Sequence, residues 1–184
     1  MEQQMTLVDL EERTGIHRAT SSTSRLPREN EVDGNNYHFL SEIQFEQKIR
    51  AGEFAEWARV YDDYKGLERR EVEEPLREGR DVIIRTDVQG ARTWRERLDG
   101  AVFIFLMAED REVLRSRLSS RGSEDADSLA RRIAELEEEL ADIENNDYVV
   151  YNRHGELDEA VTEIARIIAA EKQKPGRRAV RLRV

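Results

Sequence analysis

Arg25 and Arg28 stand three residues apart around Pro27, inside the stretch SSTSRLPRENEVDGNNYHF that runs from Ser21 to Phe39. Proline fixes one backbone dihedral, so the two guanidinium groups are carried on a stiffened loop. Each planar fork can give two parallel N–H contacts to a dianion, and a pair of them makes a phosphate clamp. The same residue types support a purely structural use, in which both arginines pair with Glu29, Glu31 and Asp33. Residue type and spacing leave these two readings open, and on residue type alone Glu56 and Asp87 are surface acids.

The elements that must carry this loop alternate in type. Short apolar runs at residues 81–86 (DVIIRT), 101–107 (AVFIFLM) and 147–151 (DYVVY) read as strands buried on both faces, as in a parallel sheet. A hydroxyl-rich run at residues 17–24 is a weaker strand signal. Ser41 opens a helix with Gln44 three residues on as a capping box, and Gly52 stops it. A second helix is expected over residues 68–78, kinked or split by Pro75. Amphipathic helices follow at residues 109–120 and 158–171, the latter with Val161, Ile164 and Ile168 on one face. Strands alternating with helices predict an α/β fold with a mainly parallel sheet.

Residues 123–146 form the longest helical pattern, with Leu129, Ile133, Leu136, Leu140 and Ile143 in a narrow seam. The seam is expected to pack on its own domain, with a homodimer through it as the alternative. From Lys172 onward the tail turns basic and is expected to be solvated or loosely attached, an edge strand or partner contact being the other reading.

Composition limits the partners. There is no cysteine, which excludes disulfides and thiolate chemistry and suits a reducing compartment. His17, His38 and His154 lack the helical spacing of a histidine zinc site, so no metal site is read from them. The acids outnumber the bases 40 to 30 for a net charge of −10, which argues against nucleic acid as a partner. No window approaches a membrane span and the N-terminus does not resemble a signal peptide, so no membrane partner and a cytoplasmic location are expected.

Five fragments in order, STSRLPRENEVDGNNYHFLS, GEFAEWARVY, DVQGA, RLSSRG with ARRI shortly after, and DYVVYN, resemble the guanylate kinase family over about residues 7–170. The resemblance implies a P-loop-kinase-like parallel sheet flanked by helices, with a GMP-binding subdomain at about residues 20–80 and a lid with its following helix at about 115–146. These lie inside a domain of residues 1–172, and 173–184 form the tail. It also implies ATP-dependent phosphorylation of GMP to GDP with Mg2+. Arg25, Arg28 and Tyr37 take the 5′-phosphate, and Glu56 accepts from the guanine N1 and N2 hydrogens. Asp87 stands beside the base, while Ser21 and Glu31 fall on further substrate-loop positions. Arg121 and Arg132 match lid arginines that neutralise charge during transfer, and Asn152 matches a residue near the adenine of ATP.

The chain also departs from that family. It contains no GxxxxGK[ST], and Gln3, Gln4, Met5 and Thr6 fall about where the end of such a loop would stand, so the first strand and the P-loop are expected to be missing. Lys65 and Leu67 replace a tyrosine and a hydroxyl residue that serve GMP, and Arg85 replaces an acid two positions before Asp87. Two functions follow: a kinase of weak or absent activity as the chain stands, or a non-catalytic module binding GMP or a phosphorylated peptide.

Overall fold

The computed structural model describes residues 2–60, 62–108, 137, 140–153 and 155–183. They fall into two compact units, Met1–Arg13 with Asp87–Val184, and the contiguous Thr14–Thr86. Helix α1, Glu2–Thr14, opens the chain and buries Leu10.

In the Thr14–Thr86 unit, β1 (His17–Arg18) pairs in parallel with β6 (Val82–Ile83). A second sheet has the order β3-β2-β5-β4, built from β2 (Ser22–Thr23), β3 (His38–Phe39), β4 (Phe54–Val60) and β5 (Asp63–Glu68). The hydroxyl-rich run thus becomes two strands in two sheets. β2 and β3 are parallel, while β5 pairs antiparallel with both β2 and β4. Gly66 is required in this hairpin. A Cβ there would stand 2.7 Å from the Glu56 carbonyl oxygen and 2.8 Å from the Trp57 Cβ. Gly66→Ala is therefore expected to cost about 1–3 kcal/mol by overpacking, read as a lower denaturant midpoint with the slope preserved.

Helix α2, Glu42–Arg50, covers one face of that sheet. It begins with the expected capping box, the Gln44 N–H donating to Ser41 and the Gln44 side chain accepting from the Ser41 N–H. Gly52 then takes φ 69°. Phe45 is fully buried and stacks on Phe54 at 4.2 Å and on Tyr64 at 5.2 Å between ring centroids. The next helix, α3, spans Arg70–Arg77 and runs through Pro75 without a break, contrary to the expected kink or split. Pro75 removes one backbone bond near the end of an eight-residue helix, and its ring is buried. Glu68, expected as the first residue of the helix, instead ends β5.

In the other unit, β8 (Ile104–Ala108) and β9 (Tyr148–Asn152) form a parallel pair, shifted by a few residues at most from the apolar runs in the sequence. Helix α4, Val88–Arg97, buries Trp94 and leads into β7 (Leu98–Asp99). Helix α5, Leu157–Gln173, buries Ala160, Val161 and Ile164 and packs against β9. The tail is anchored, as β10 (Arg181–Leu182) pairs antiparallel with β7. Two contacts of Arg177, to the Glu171 carboxylate and the Gly100 carbonyl, tie the connection down. Of the predicted seam, Leu129, Ile133 and Leu136 lie outside the described residues, and Ile143 sits in a 3-10 turn, Ile143–Asn145. The architecture is α/β with parallel strand pairs, as the alternation of elements predicts.

Candidate functional site

Arg25 follows β2, and its guanidinium is held end-on by Glu31, with Nη1 and Nη2 each 2.6 Å from a carboxylate oxygen. A second Nη1 hydrogen goes to the Leu26 carbonyl at 3.0 Å. The group lies over the rings of Tyr37 and Phe39, 5.0 and 5.6 Å from their centroids. Three guanidinium donors go to Glu31 and Leu26, and the Tyr37 side chain makes a further hydrogen-bonding contact; Nε–H with the second Nη2–H is the other fork through which arginine grips an oxyanion. Glu31 thereby fixes the orientation of the Arg25 guanidinium. It also accepts the Arg28 backbone N–H at 2.8 Å. The bonds from Arg25 and then Arg28 hold its carboxyl down at about 2, so it is ionised at neutral pH. The Arg28 side chain remains at the surface.

The loop between these residues is tied at several points. Asp33 accepts the Phe39 N–H at 2.8 Å, and Gly34, at φ 75°, donates to the Tyr37 carbonyl. Arg18 reaches from β1 to both oxygens of Asn35, at 2.8 and 2.7 Å.

Strand register sorts the remaining candidates. Directly opposed residues share a sheet face, and Phe39, Thr23, Lys65 and Ala58 lie in one row across β3, β2, β5 and β4. Glu56 pairs with Leu67, and alternation puts both on the face that carries Lys65. That face therefore holds Glu56, Leu67 and Lys65 in adjacent rows, with Glu56 half-buried, Lys65 exposed and Leu67 only 1% exposed. Ser21 is half-buried just before β2, and its carbonyl accepts the His38 N–H at 2.9 Å.

The opposite face is held by a carboxylate that sequence reasoning did not single out. Glu68, 1% exposed, accepts from the Ser22 hydroxyl at 2.9 Å, the Lys48 ammonium at 2.8 Å and Arg70 Nε at 3.0 Å. Burial opposes its ionisation, but the Lys48 and Ser22 hydrogen bonds outweigh that and keep its carboxyl below the usual range. An acid ending the strand DYKGLE carries no motif, so its only sequence signal was the placement of Lys48 on α2.

On α3, Glu71 lies among His38, His17 and the Thr20 amide. Its bond from Glu71 raises His38 above 6.5, while burial of Glu71 is outweighed by His38 and the Thr20 N–H, so that its carboxyl falls below 4.5. The raised His38 stabilises the unit fully below about 6.5 and loses that contribution as pH rises through its folded value. The depressed Glu31, Glu68 and Glu71 stabilise it above about 4.5 and lose theirs on acidification. Thermal unfolding is accordingly expected to peak between about pH 4.5 and 6.5, and a higher midpoint at pH 8 than at pH 6 would contradict this.

Asp87 and Asn152 belong to the other unit. Asp87 caps α4, its Oδ1 accepting the Gly90 N–H at 2.8 Å, and Asn152 is half-buried at the end of β9. Arg121, Arg132 and His154 lie outside the described residues. Among the described residues no three His, Cys, Asp or Glu side chains are grouped to hold a metal, and the exposed Arg85, two positions before Asp87, brings positive charge to that segment.

Comparison with known proteins agrees with the fold. The guanylate kinase family profile matches residues 3–171. The chain is 42% identical over 173 residues to "Guanylate kinase 2, chloroplastic/mitochondrial" of Oryza sativa subsp. japonica, covering 94% of this chain but 61% of that protein, so it spans under two thirds of that relative. It is 44% identical over 168 residues to a guanylate kinase of Symbiobacterium thermophilum, covering 91% of this chain and 79% of the relative. The crystal structure of guanylate kinase from Anaplasma phagocytophilum superposes with a TM-score of 0.75 at 28% identity, over 94% of this chain and 83% of that one. With its sheet and nearly its whole length accounted for in this way, the chain belongs to the guanylate kinase family.

Proposed function

We infer that the Thr14–Thr86 unit binds GMP as the phosphoryl acceptor of the family reaction, ATP-dependent formation of GDP. The observation that carries this is Arg25, fixed end-on by Glu31 over two aromatic rings, whose Nε–H and second Nη2–H take no part in the Glu31 bonds and form a fork suited to two phosphate oxygens. Arg28 and Tyr37 add further donors to the same phosphate. Glu56, an ionised acceptor on the sheet face, takes the N1 and N2 hydrogens of guanine, whereas adenine offers an acceptor at N1. Ser21, Asp87 and Asn152 are assigned as further nucleotide contacts, and Arg121 and Arg132 as the groups that neutralise transferred charge. ATP and Mg2+ serve the family, and among the described residues no three His, Cys, Asp or Glu side chains are grouped to hold a metal. Phosphoryl transfer is catalysed mostly by positioning and charge neutralisation. What this chain's described residues contribute is acceptor positioning.

The test is calorimetry on the 184-residue polypeptide with GMP, guanosine and AMP. GMP is expected to bind, guanosine to bind at least tenfold more weakly through loss of charge-assisted contacts, and AMP to be rejected through Glu56. Equal affinity for GMP and guanosine would overturn the phosphate assignment. With no P-loop motif in these residues, turnover of this polypeptide is expected to fall well below the roughly 1–100 per second typical of kinases.

A second reading follows from Leu67. Its buried side chain occupies the row of Glu56 and can make no hydrogen bond to a base, which favours recognition led by the phosphate and hence a phosphorylated peptide as an alternative ligand. A phosphopeptide that binds more tightly than GMP in the same experiment would select it.

A further inference from the structure

We propose that Glu71 is a positioning residue that fastens both ends of the acceptor loop, one through the Thr20 backbone N–H and the other through the His38 side chain, and that it ties GMP affinity to the protonation of His38. This rests on the reading of the loop as a GMP site.

The geometry is specific. Glu71 Oε2 accepts the Thr20 N–H at 3.0 Å, and Oε1 stands 3.1 Å from His38 Nε2. Thr20 directly precedes Ser21, where the loop begins, and His38 directly follows Tyr37, where it returns. The His38 N–H in turn donates to the Ser21 carbonyl at 2.9 Å. One carboxylate on α3 therefore holds the Thr20 backbone and the His38 side chain, between which Arg25, Arg28 and Glu31 are strung, from beyond the residues that would touch the nucleotide. His17 on β1 completes the cluster, its Nε2 lying 3.7 Å from Glu71 Oε2, buried and without a hydrogen-bond partner. That spacing marks an approach the ring has not closed, so the latch is made by His38 alone.

The groups facing the pair are His17 on β1, Arg70 beside Glu71 on α3, and Glu68 on β5. Arg70 is itself engaged by Glu68, so Glu71 is the carboxylate that answers to His38. A charged imidazolium gives Glu71 a charge-assisted bond, and a neutral ring gives it a weaker one or none, depending on tautomer. The loop is thus held best when His38 is protonated. The phosphate of GMP works the other way, because it becomes a dianion above a second ionisation near pH 6. The two requirements overlap only in a window near neutrality.

The experiment compares the wild-type chain with Glu71→Gln, which keeps an oxygen for the Thr20 N–H but removes the charge, and with His38→Asn. GMP affinity is measured by calorimetry from pH 5.5 to 8.5, and amide exchange is followed at Thr20 and His38. The wild-type chain is expected to show an affinity maximum near neutrality, and His38→Asn an affinity that only rises with pH to a plateau. Glu71→Gln should bind GMP about tenfold more weakly at pH 6.5, with faster exchange at both amides. A merely structural role would move the unfolding midpoint but not the shape of the pH profile. Unchanged GMP affinity in both variants at every pH overturns the proposal. If the wild-type chain binds no GMP, the acceptor reading fails separately and exchange decides the latch: faster exchange at Thr20 and His38 in Glu71→Gln supports it, and equal rates overturn it.

Discussion

Arg25→Met is expected to weaken GMP binding by about two orders of magnitude while leaving the fold intact. Hydrogen bonds to charged groups contribute about 1.5–3 kcal/mol each, and the Nε–Nη2 fork of Arg25 can offer two of them. The loss is compounded by what remains: the Arg25 bond is the largest cause of the lowered Glu31 carboxyl, and without it the group moves back towards the usual carboxylate range and is still ionised at neutral pH. Without Arg25 its carboxylate stands uncompensated beside the incoming phosphate. The methionine retains much of the packing on Tyr37 and Phe39, so the unfolding midpoint should move little. Glu31→Gln separates the two effects: it removes the repulsion and also the end-on grip, and in the Arg25→Met background it should recover part of the lost affinity. Calorimetry on the two single variants and the double variant gives the coupling directly, and a double variant no tighter than Arg25→Met would show that repulsion plays no part.

The second large effect is on stability. Glu68→Ala is expected to destabilise the Thr14–Thr86 unit by about 3 kcal/mol or more, because removing one partner of a buried ion pair leaves the other uncompensated. Glu68 is the common acceptor for Ser22, Lys48 and Arg70, which reach it from β2, α2 and α3. Arg70 is half exposed and can turn to water. Lys48 also holds Glu53 at 2.6 Å, which limits the loss towards the lower end of the 3–5 kcal/mol range. Urea unfolding provides the measure. If Glu68→Ala loses less than about 1 kcal/mol, the cluster is a solvated surface pair despite its burial; Lys48→Met in the same background should then be neutral.

Elements with a local cause were legible in the sequence. The capping box at Ser41 and Gln44, the stop at Gly52 and the apolar runs that became β8 and β9 follow from short-range rules, and the structure shows them where the residues put them. Of the two uses open to the arginine loop, the pairing of Arg25 with Glu31 is seen, and the phosphate clamp is a proposal. What was not legible depends on register and long-range pairing. Nothing in the sequence places Glu68 under Ser22 or Glu71 between Thr20 and His38, because those meetings need β2, β3, β5 and α3 to be assembled first. Pro75 misled for the opposite reason: the rule that it breaks helices assumes a long helix interior, and α3 ends two residues later. The basic tail read as solvated because its pairing partner, Leu98–Asp99, is two residues long and lies far back in the chain.

That last pairing has a bearing on synthesis. β10 meets β7 across a separation of 82 residues, from Asp99 to Arg181, whereas the Thr14–Thr86 unit is one unbroken stretch. At translation rates of about 5–20 residues per second, β7 is made several seconds, up to about fifteen, before its partner strand exists. The unit that carries the arginine loop can therefore organise itself on the nascent chain while the other still waits for its closing strand, and damage to the last few residues would reach the finished protein through the later-folding unit alone.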